Sequence, residues 1–372
     1  MNTSQALPLN RLPLVGTGLA ALVCGVLGGL ARLPVDWPPA RSDWVLLHGP
    51  LMVCSFLGTV ISLERAVGLP DRWPILAPVV LAMASLLFLA GVPPSKAGVL
   101  LLLGSLLSFA VALRVSRIRS ELFTWTLAVG VFCWLVGNIL WLNGHPVSGV
   151  VPWWIAFLGL TILGERIDLS RFQKPSPWAR PQLLCASTLF LVGVATTALD
   201  ETIGQRLLGT GLVALGVWLI RHDLARKTAR QPGLPRFMSL GLIPGFLWMA
   251  LSGWLFLLKA PLQAGFLYDA ALHAFFLGFV FSMIFAHAPV IFPSLLGLTA
   301  VWKGRFYVHL LLLQVGLVTR VAGDLLGSVP LRQWGGILNA VAIAVFLLNT
   351  VSALVVRILE RRKPGARPTT NP

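Results

Sequence analysis

Long apolar runs recur along almost the whole chain and alternate with short polar connections. Each run has about 20 residues, the length at which an α-helix rising about 1.5 Å per residue crosses roughly 30 Å of hydrocarbon. The pattern predicts an all-α polytopic membrane protein with twelve transmembrane helices. The predicted spans are residues 12–33, 44–68, 73–92, 97–114, 121–142, 147–167, 181–200, 203–221, 237–258, 266–292, 305–327 and 334–358.

Composition supports a membrane protein and leaves no stretch for a soluble domain. Hydrophobic residues make up 56% of the chain and charged residues only 11%, which is atypical of a soluble globular protein. We therefore expect one membrane domain over residues 1–372 that has the lipid bilayer as its surroundings and ends in a basic tail at 360–372.

The formal charge of +16 is concentrated in alternate connections between the spans. Basic clusters occur near residues 114–119, 166–180, 221–236 and 361–363. Because cytoplasmic loops collect Lys and Arg, this distribution predicts that both termini are cytoplasmic. Membrane topology accounts for the basic residues, so no nucleic-acid partner is expected.

An internal repeat is visible in the even-numbered spans. FLGTVISLER at residues 56–65 and FLGLTILGER at 157–166 agree at six of ten positions, and FLGFVFSMIF at 276–285 is a weaker third copy. The copies fall in the second, sixth and tenth spans, which predicts three pseudo-symmetric four-helix units at about 12–114, 121–221 and 237–358. Membrane proteins built from repeats often bind ligands at the repeat interface.

Two histidines lie near corresponding ends of predicted spans. His48 follows Asp43 by five residues, and His273 follows Asp269 by four. Ionisable side chains inside a bilayer are costly and usually functional. Two neutral imidazoles on facing helices can hold a haem iron from both axial positions, and Gly49 and Gly278 leave room for a flat ring. The alternatives are hydrogen bonding to a neighbouring helix, a directly bound metal ion such as copper, and a transport role.

Arginines near the same membrane level could bind the propionates of such a haem. Arg320 is the first candidate and Arg332 the second. Asp324, at i+4 from Arg320, could form a local helical pair with it, and the two interpretations are compatible. His287 and His309 lie towards the opposite side. They are candidates for a second metal site or, as the preferred interpretation, for interfacial hydrogen bonding.

The His48 segment, HGPLMVCSFLG, and the tenth span, LHAFFLGFVFSMIFAHAPVIFP, resemble the second and tenth helices of subunit I of the haem-copper oxidase superfamily. Within it the chain resembles the NnrS family of twelve-helix membrane proteins linked to nitric oxide responses. The resemblance implies that His48 and His273 are axial haem ligands and that Arg320 lies near a propionate.

The sequence also departs from the oxidases. The sixth span, VVPWWIAFLGLTILGER, lacks the His-Pro-Glu copper motif, and the seventh, PQLLCASTLFLVGVATTALD, lacks a histidine pair. We therefore do not expect oxygen reduction, and whether the protein is an enzyme stays open.

The sequence favours an integral protein of a bacterial-type inner membrane that binds haem b. It would act in electron transfer with a cytochrome or quinol partner, or in nitric oxide binding and response. The alternative is a secondary transporter, or a metal-ion-binding membrane protein, that uses the buried histidines.

Overall fold

The structure is a computed structural model that describes residues 11–33, 41–170, 176–295 and 297–362. Helices connected by turns and short loops make up these residues, and no β-strand occurs among them. Part of the predicted basic loop, at 171–175, and the tail from residue 363 onwards lie outside the described residues.

Twelve apolar helices occur in the described part of the chain and are labelled in chain order. They are α1 (Leu12–Leu30), α2 (His48–Val67), α3 (Trp73–Leu89), α4 (Pro94–Ile118), α5 (Leu122–Leu142), α6 (Val147–Ser170), α7 (Ala179–Thr196), α8 (Glu201–His222), α9 (Leu234–Lys259), α10 (Gly265–Leu295), α11 (Phe306–Leu326) and α12 (Val329–Arg362). Two short helices, Ser42–Leu46 and Ala225–Thr228, lie in the connections.

Eleven of these helices are long and apolar enough to cross a membrane, and α3 is a shorter apolar helix. The chain is therefore a polytopic helical membrane protein. The helix boundaries lie within about five residues of those expected from the apolar runs.

The second span differs from its prediction at the start. A break at Leu47 separates the short helix Ser42–Leu46 from α2, so His48 is the first residue of α2 and not a turn inside a longer helix. Pro50 accounts for the break, because proline has no N–H to donate to the preceding turn and is best accommodated in the first turn of a helix.

The helices α2 and α10 each contain a π-helical segment. In α2 it covers Leu51–Leu57, and in α10 it covers Ala274–Phe281, so each begins within three residues of a candidate histidine. The rings of Phe56 and Phe281 lie 6.2 Å apart, so the two segments face each other. π-Helical turns are rare in proteins, and those that occur are often found at functional sites.

The helices α2, α6 and α10 bury the largest share of their residues among the spans. These are the helices that carry the three copies of the sequence repeat. The ring of Phe275 on α10 lies against Gly159 on α6. The three most buried spans thus include the two that carry the candidate histidines.

Candidate functional site

A large cavity lies at the ends of the bundle where α2 and α10 begin. Its volume is about 520 Å³, within the range of about 300–1,000 Å³ typical of small-molecule sites. His48 and His273 both line it, although they are more than 200 residues apart in the chain. The structure thus brings the two principal sequence candidates to one cavity.

The His48 ring is held by α1. Its Nδ1 lies 2.7 Å from the carbonyl oxygen of Gly25. A carbonyl oxygen can only accept a hydrogen bond, so Nδ1 donates, and the neutral ring keeps the lone pair on Nε2. A Cβ added at Gly29 would lie 2.7 Å from Cε1 of the ring, so only glycine at position 29 accommodates this ring position.

The His273 ring has the same hydrogen-bonding arrangement. Its Nδ1 donates to the backbone oxygen of Asp269 at 2.8 Å and lies 3.3 Å from the Oδ1 atom of that residue. Nε2 is again the nitrogen that keeps a lone pair. Metal-ligating histidines almost always donate their other ring N–H to a carbonyl or carboxylate, so both imidazoles are oriented as such ligands are.

Guanidinium groups surround Asp269 at the cavity. Arg320 donates to Asp269 through Nε at 3.0 Å and through Nη2 at 3.1 Å, and Nη2 of Arg332 lies 3.4 Å from Oδ1. Asp324 lies 3.0 Å from Nε of Arg332. The alternative of a local pair between Arg320 and Asp324 is therefore wrong, because Arg320 reaches across to α10.

Arg32 is a cavity residue that the sequence analysis did not select. It follows α1, and its Nε donates to the carbonyl oxygen of Val45 at 3.0 Å. Within the described ranges, no carboxylate lies within ion-pair distance of its guanidinium. Burial lowers the pKa of Arg32, and the charge of Asp269 opposes that shift. Its position at the end of the first predicted span, on the same side of the membrane as His48, is the sequence feature that could have identified it as a cavity residue.

The two glycines that were expected to leave room for a ligand, Gly49 and Gly278, differ in their position relative to the cavity. Gly49 lines the cavity, and a Cβ there would lie 3.4 Å from the Trp154 ring. Gly278 is not among the residues that line it. A Cβ at Gly278 would lie 2.4 Å from the Trp248 side chain and 2.9 Å from Leu317, so this glycine permits close packing of α10 against α9 and α11.

His287 and His309 make different contacts. His287 donates from Nδ1 to the Met283 carbonyl, and its Nε2 lies 3.3 Å from Nη1 of Arg166, so both ring nitrogens have a partner. Nδ1 of His309 lies 3.2 Å from Nδ2 of Asn349, whereas its Nε2 is buried without a hydrogen-bond partner among the described residues. No group of three or more His, Cys, Asp or Glu side chains that could hold a metal ion occurs in the described part of the chain. The second metal site at His287 and His309 stays a prediction.

Comparison with known proteins places the chain in one family. A search of curated proteins finds no match. A family model described as a domain of unknown function, DUF8744, matches residues 11–355 and so covers nearly all the described helices. The chain belongs to the DUF8744 family.

Proposed function

We propose that this protein binds a haem b between His48 and His273 and functions in electron transfer or in binding a small diatomic such as nitric oxide. One observation carries the proposal. Two imidazoles line the same cavity of about 520 Å³, and each is fixed through Nδ1 so that Nε2 is left for a ligand.

A macrocycle fits the donor set better than a bare ion. Protein sites for transition-metal ions usually supply three or four ligands close together, and the described residues contain no such group. A porphyrin supplies four nitrogens itself and needs only axial ligands from the protein. Apolar and aromatic side chains, including Met52, Trp154 and Phe276, form walls suited to a flat hydrophobic ring.

The charge at the cavity suits the propionates of haem. Arg32, Arg320 and Arg332 all line it, whereas the carboxylate of Asp269 is already shared by two of these arginines. Arg32 has the guanidinium most available to an incoming carboxylate, because its described partner is a backbone carbonyl. Charge-assisted hydrogen bonds of this type are strong.

A bound haem would supply one-electron chemistry, with its potential set by the axial ligands and their surroundings. The residues of this chain would orient the rings, exclude lipid and balance charge. The hydrogen bond from His273 to Asp269 increases the basicity of that ring. Two fixed histidines favour electron transfer with a cytochrome or a quinol. Binding of nitric oxide would require one ring to leave the iron.

The proposal includes the finer topology. We infer that α3 completes twelve spans, that the spans form three four-helix units, and that both termini lie in the cytoplasm of a cell with a bacterial-type inner membrane. The clustering of basic residues in alternate loops supports this orientation.

The test is an optical spectrum of the protein purified in detergent after expression with ample haem. We expect sharp bands of a six-coordinate haem on reduction in the wild type. His48→Ala and His273→Ala should each lose these bands, since each removes one axial ligand.

The matched control is His145→Ala, which removes a histidine from a connection between helices, outside the cavity lining. This variant should keep the wild-type spectrum. A colourless wild-type protein would refute the proposal and favour transport. A six-coordinate spectrum that survives in both His48→Ala and His273→Ala would refute axial ligation by these two histidines.

A further inference from the structure

Four cations lie together at the end of the bundle opposite the large cavity, where α1 and α11 begin and α10 and α12 end. We call this set the basic patch, and it consists of Arg11, Lys303, Arg305 and Arg357. Arg11 donates to the carbonyl oxygen of Leu295 at 2.9 Å, and Arg357 donates to Oγ1 of Thr299 at 2.7 Å. The other two cations belong to the connection between α10 and α11, so the four surround that connection.

The positive charge of the basic patch is poorly compensated. Arg305 donates from Nη2 to the backbone oxygen of Asn349 at 3.4 Å and to Oγ of Ser352, and both of these partners are neutral. Arg11 likewise donates to a carbonyl, and the exposed side chain of Lys303 makes no hydrogen bond or ion pair with the described residues. Because a guanidinium has five N–H donors, both arginines keep donors for a further acceptor.

Apolar surface of the kind that acyl chains cover lies next to the basic patch. Towards the middle of the membrane, α11 exposes Val308 and Leu311, and α12 exposes Leu348, Val351 and Val355. The two helices pack against each other. Cations at the helix ends and exposed apolar side chains further along the same helices match the two parts of a phospholipid, a charged headgroup and apolar chains.

Other cations at this end of the bundle have different surroundings. Arg119 pairs with Glu121 at 2.9 Å, and Arg166 pairs with the buried Asp223. Arg230 is exposed in the connection between α8 and α9, and its side chain makes no hydrogen bond or ion pair with the described residues. The basic patch differs from both kinds, because its uncompensated cations are held by contacts between different helices.

We propose that the basic patch binds the headgroup of an anionic phospholipid, whose acyl chains lie along α11 and α12. The phosphate oxygens accept hydrogen bonds from Arg11 and Arg305, and Lys303 adds a third charge. Basic pockets between membrane helices bind anionic headgroups, and the planar donor group of arginine matches the geometry of phosphate. The lipid would join α1, the connection between α10 and α11, and α12. This inference is independent of the proposed haem.

Native mass spectrometry of the full-length protein in detergent tests the proposal. Phosphatidylglycerol is the anionic probe, and phosphatidylcholine with the same acyl chains is the neutral probe. We expect the first phosphatidylglycerol to bind several-fold more tightly than phosphatidylcholine, and Arg305→Gln and Lys303→Gln should each lose most of this preference. Lys303→Gln keeps the fold, because it removes no contact among the described residues. An unchanged preference in both variants would overturn the proposal.

Two matched controls each remove one cation from the same end of the bundle. Arg119→Gln removes a paired cation and Arg230→Gln an exposed one outside the basic patch, and both variants should keep the wild-type preference. An equal loss in Arg230→Gln would assign lipid binding to the overall charge and overturn the proposed site. Inorganic phosphate at the concentration of the lipid should not displace it. Displacement would show that the basic patch binds the free anion, which would overturn the lipid assignment.

Discussion

Gly29 allows the His48 ring to lie against α1. Any side chain there would overlap the ring, since an added Cβ comes within 2.9 Å of Nδ1. Gly29→Ala should therefore displace the imidazole and break its bond to Gly25. Loss of such a supporting contact typically weakens metal binding about 10–100-fold. Haem titration followed by absorbance measures the change.

The control is Gly16→Ala on the same helix, where an added Cβ meets nothing within 4 Å. Both variants remove one glycine from α1, so they change helix propensity equally. Equal haem affinity in the two variants would show that the ring position does not govern binding.

Arg32 gives a second prediction, which concerns a single charge. Arg32→Gln keeps a polar side chain but removes the cation, and a hydrogen bond to a charged group contributes about 1.5–3 kcal/mol. Haem b should therefore bind roughly 10–100-fold more weakly to the variant. Haem dimethyl ester, which has no propionate charge, should bind both proteins alike. A similar loss for both ligands would assign Arg32 a role in folding.

The helices α2 and α10 show how an element can position a site. Each begins at the cavity, carries its histidine in a regular turn and then changes to π-helix within three residues. A π-helical turn rotates the residues that follow relative to a regular helix. The histidine can therefore face the cavity while later residues, such as Phe56 and Phe281, pack against each other.

Gly278 lies in the π-helical segment of α10. Its substitution distinguishes a role in helix packing from a role in ligand binding. Gly278→Ala would press a Cβ into Trp248 and Leu317, and overpacking of this type costs about 1–3 kcal/mol. We expect a lower melting temperature with an unchanged haem spectrum. An altered spectrum without loss of stability would restore Gly278 to the ligand site. Gly149→Ala, with its nearest atom at 4.0 Å, is the control.

A buried ion pair joins distant parts of the bundle. Arg166 on α6 donates to Asp223, after α8, through Nε at 2.6 Å and Nη2 at 2.7 Å, and their side chains are only 4% and 1% exposed. The same guanidinium lies beside His287 on α10. Three parts of the chain therefore meet at Arg166, on the side opposite the large cavity.

Removing this cation should destabilise the whole molecule. Arg166→Gln leaves the Asp223 carboxylate buried without its partner, which typically costs about 3–5 kcal/mol. Thermal unfolding in detergent, followed by tryptophan fluorescence, measures the loss. Arg41→Gln is the control, because its pair with Asp43 is half exposed and exposed pairs contribute at most about 1 kcal/mol. A similar small effect from both substitutions would contradict the assignment.

The sequence by itself determined the membrane class, the positions of the helices and the two histidines worth attention. Those features depend on local properties: a run of apolar residues is a helix in lipid wherever it packs, and a buried imidazole is costly whatever its neighbour. The start of α2 at His48 could also have been read from Pro50. The tertiary structure alone decided which side chains meet.

Arg320 pairs with Asp269 on α10 and not with Asp324 on its own helix. Arg32 lines the cavity, whereas Gly278 packs against α9 and α11. Nε2 of His287 lies beside the guanidinium of Arg166. Each of these contacts joins residues from different spans. Such contacts depend on the rotation and tilt of whole helices, which apolar periodicity does not specify when nearly every face of a membrane helix is apolar.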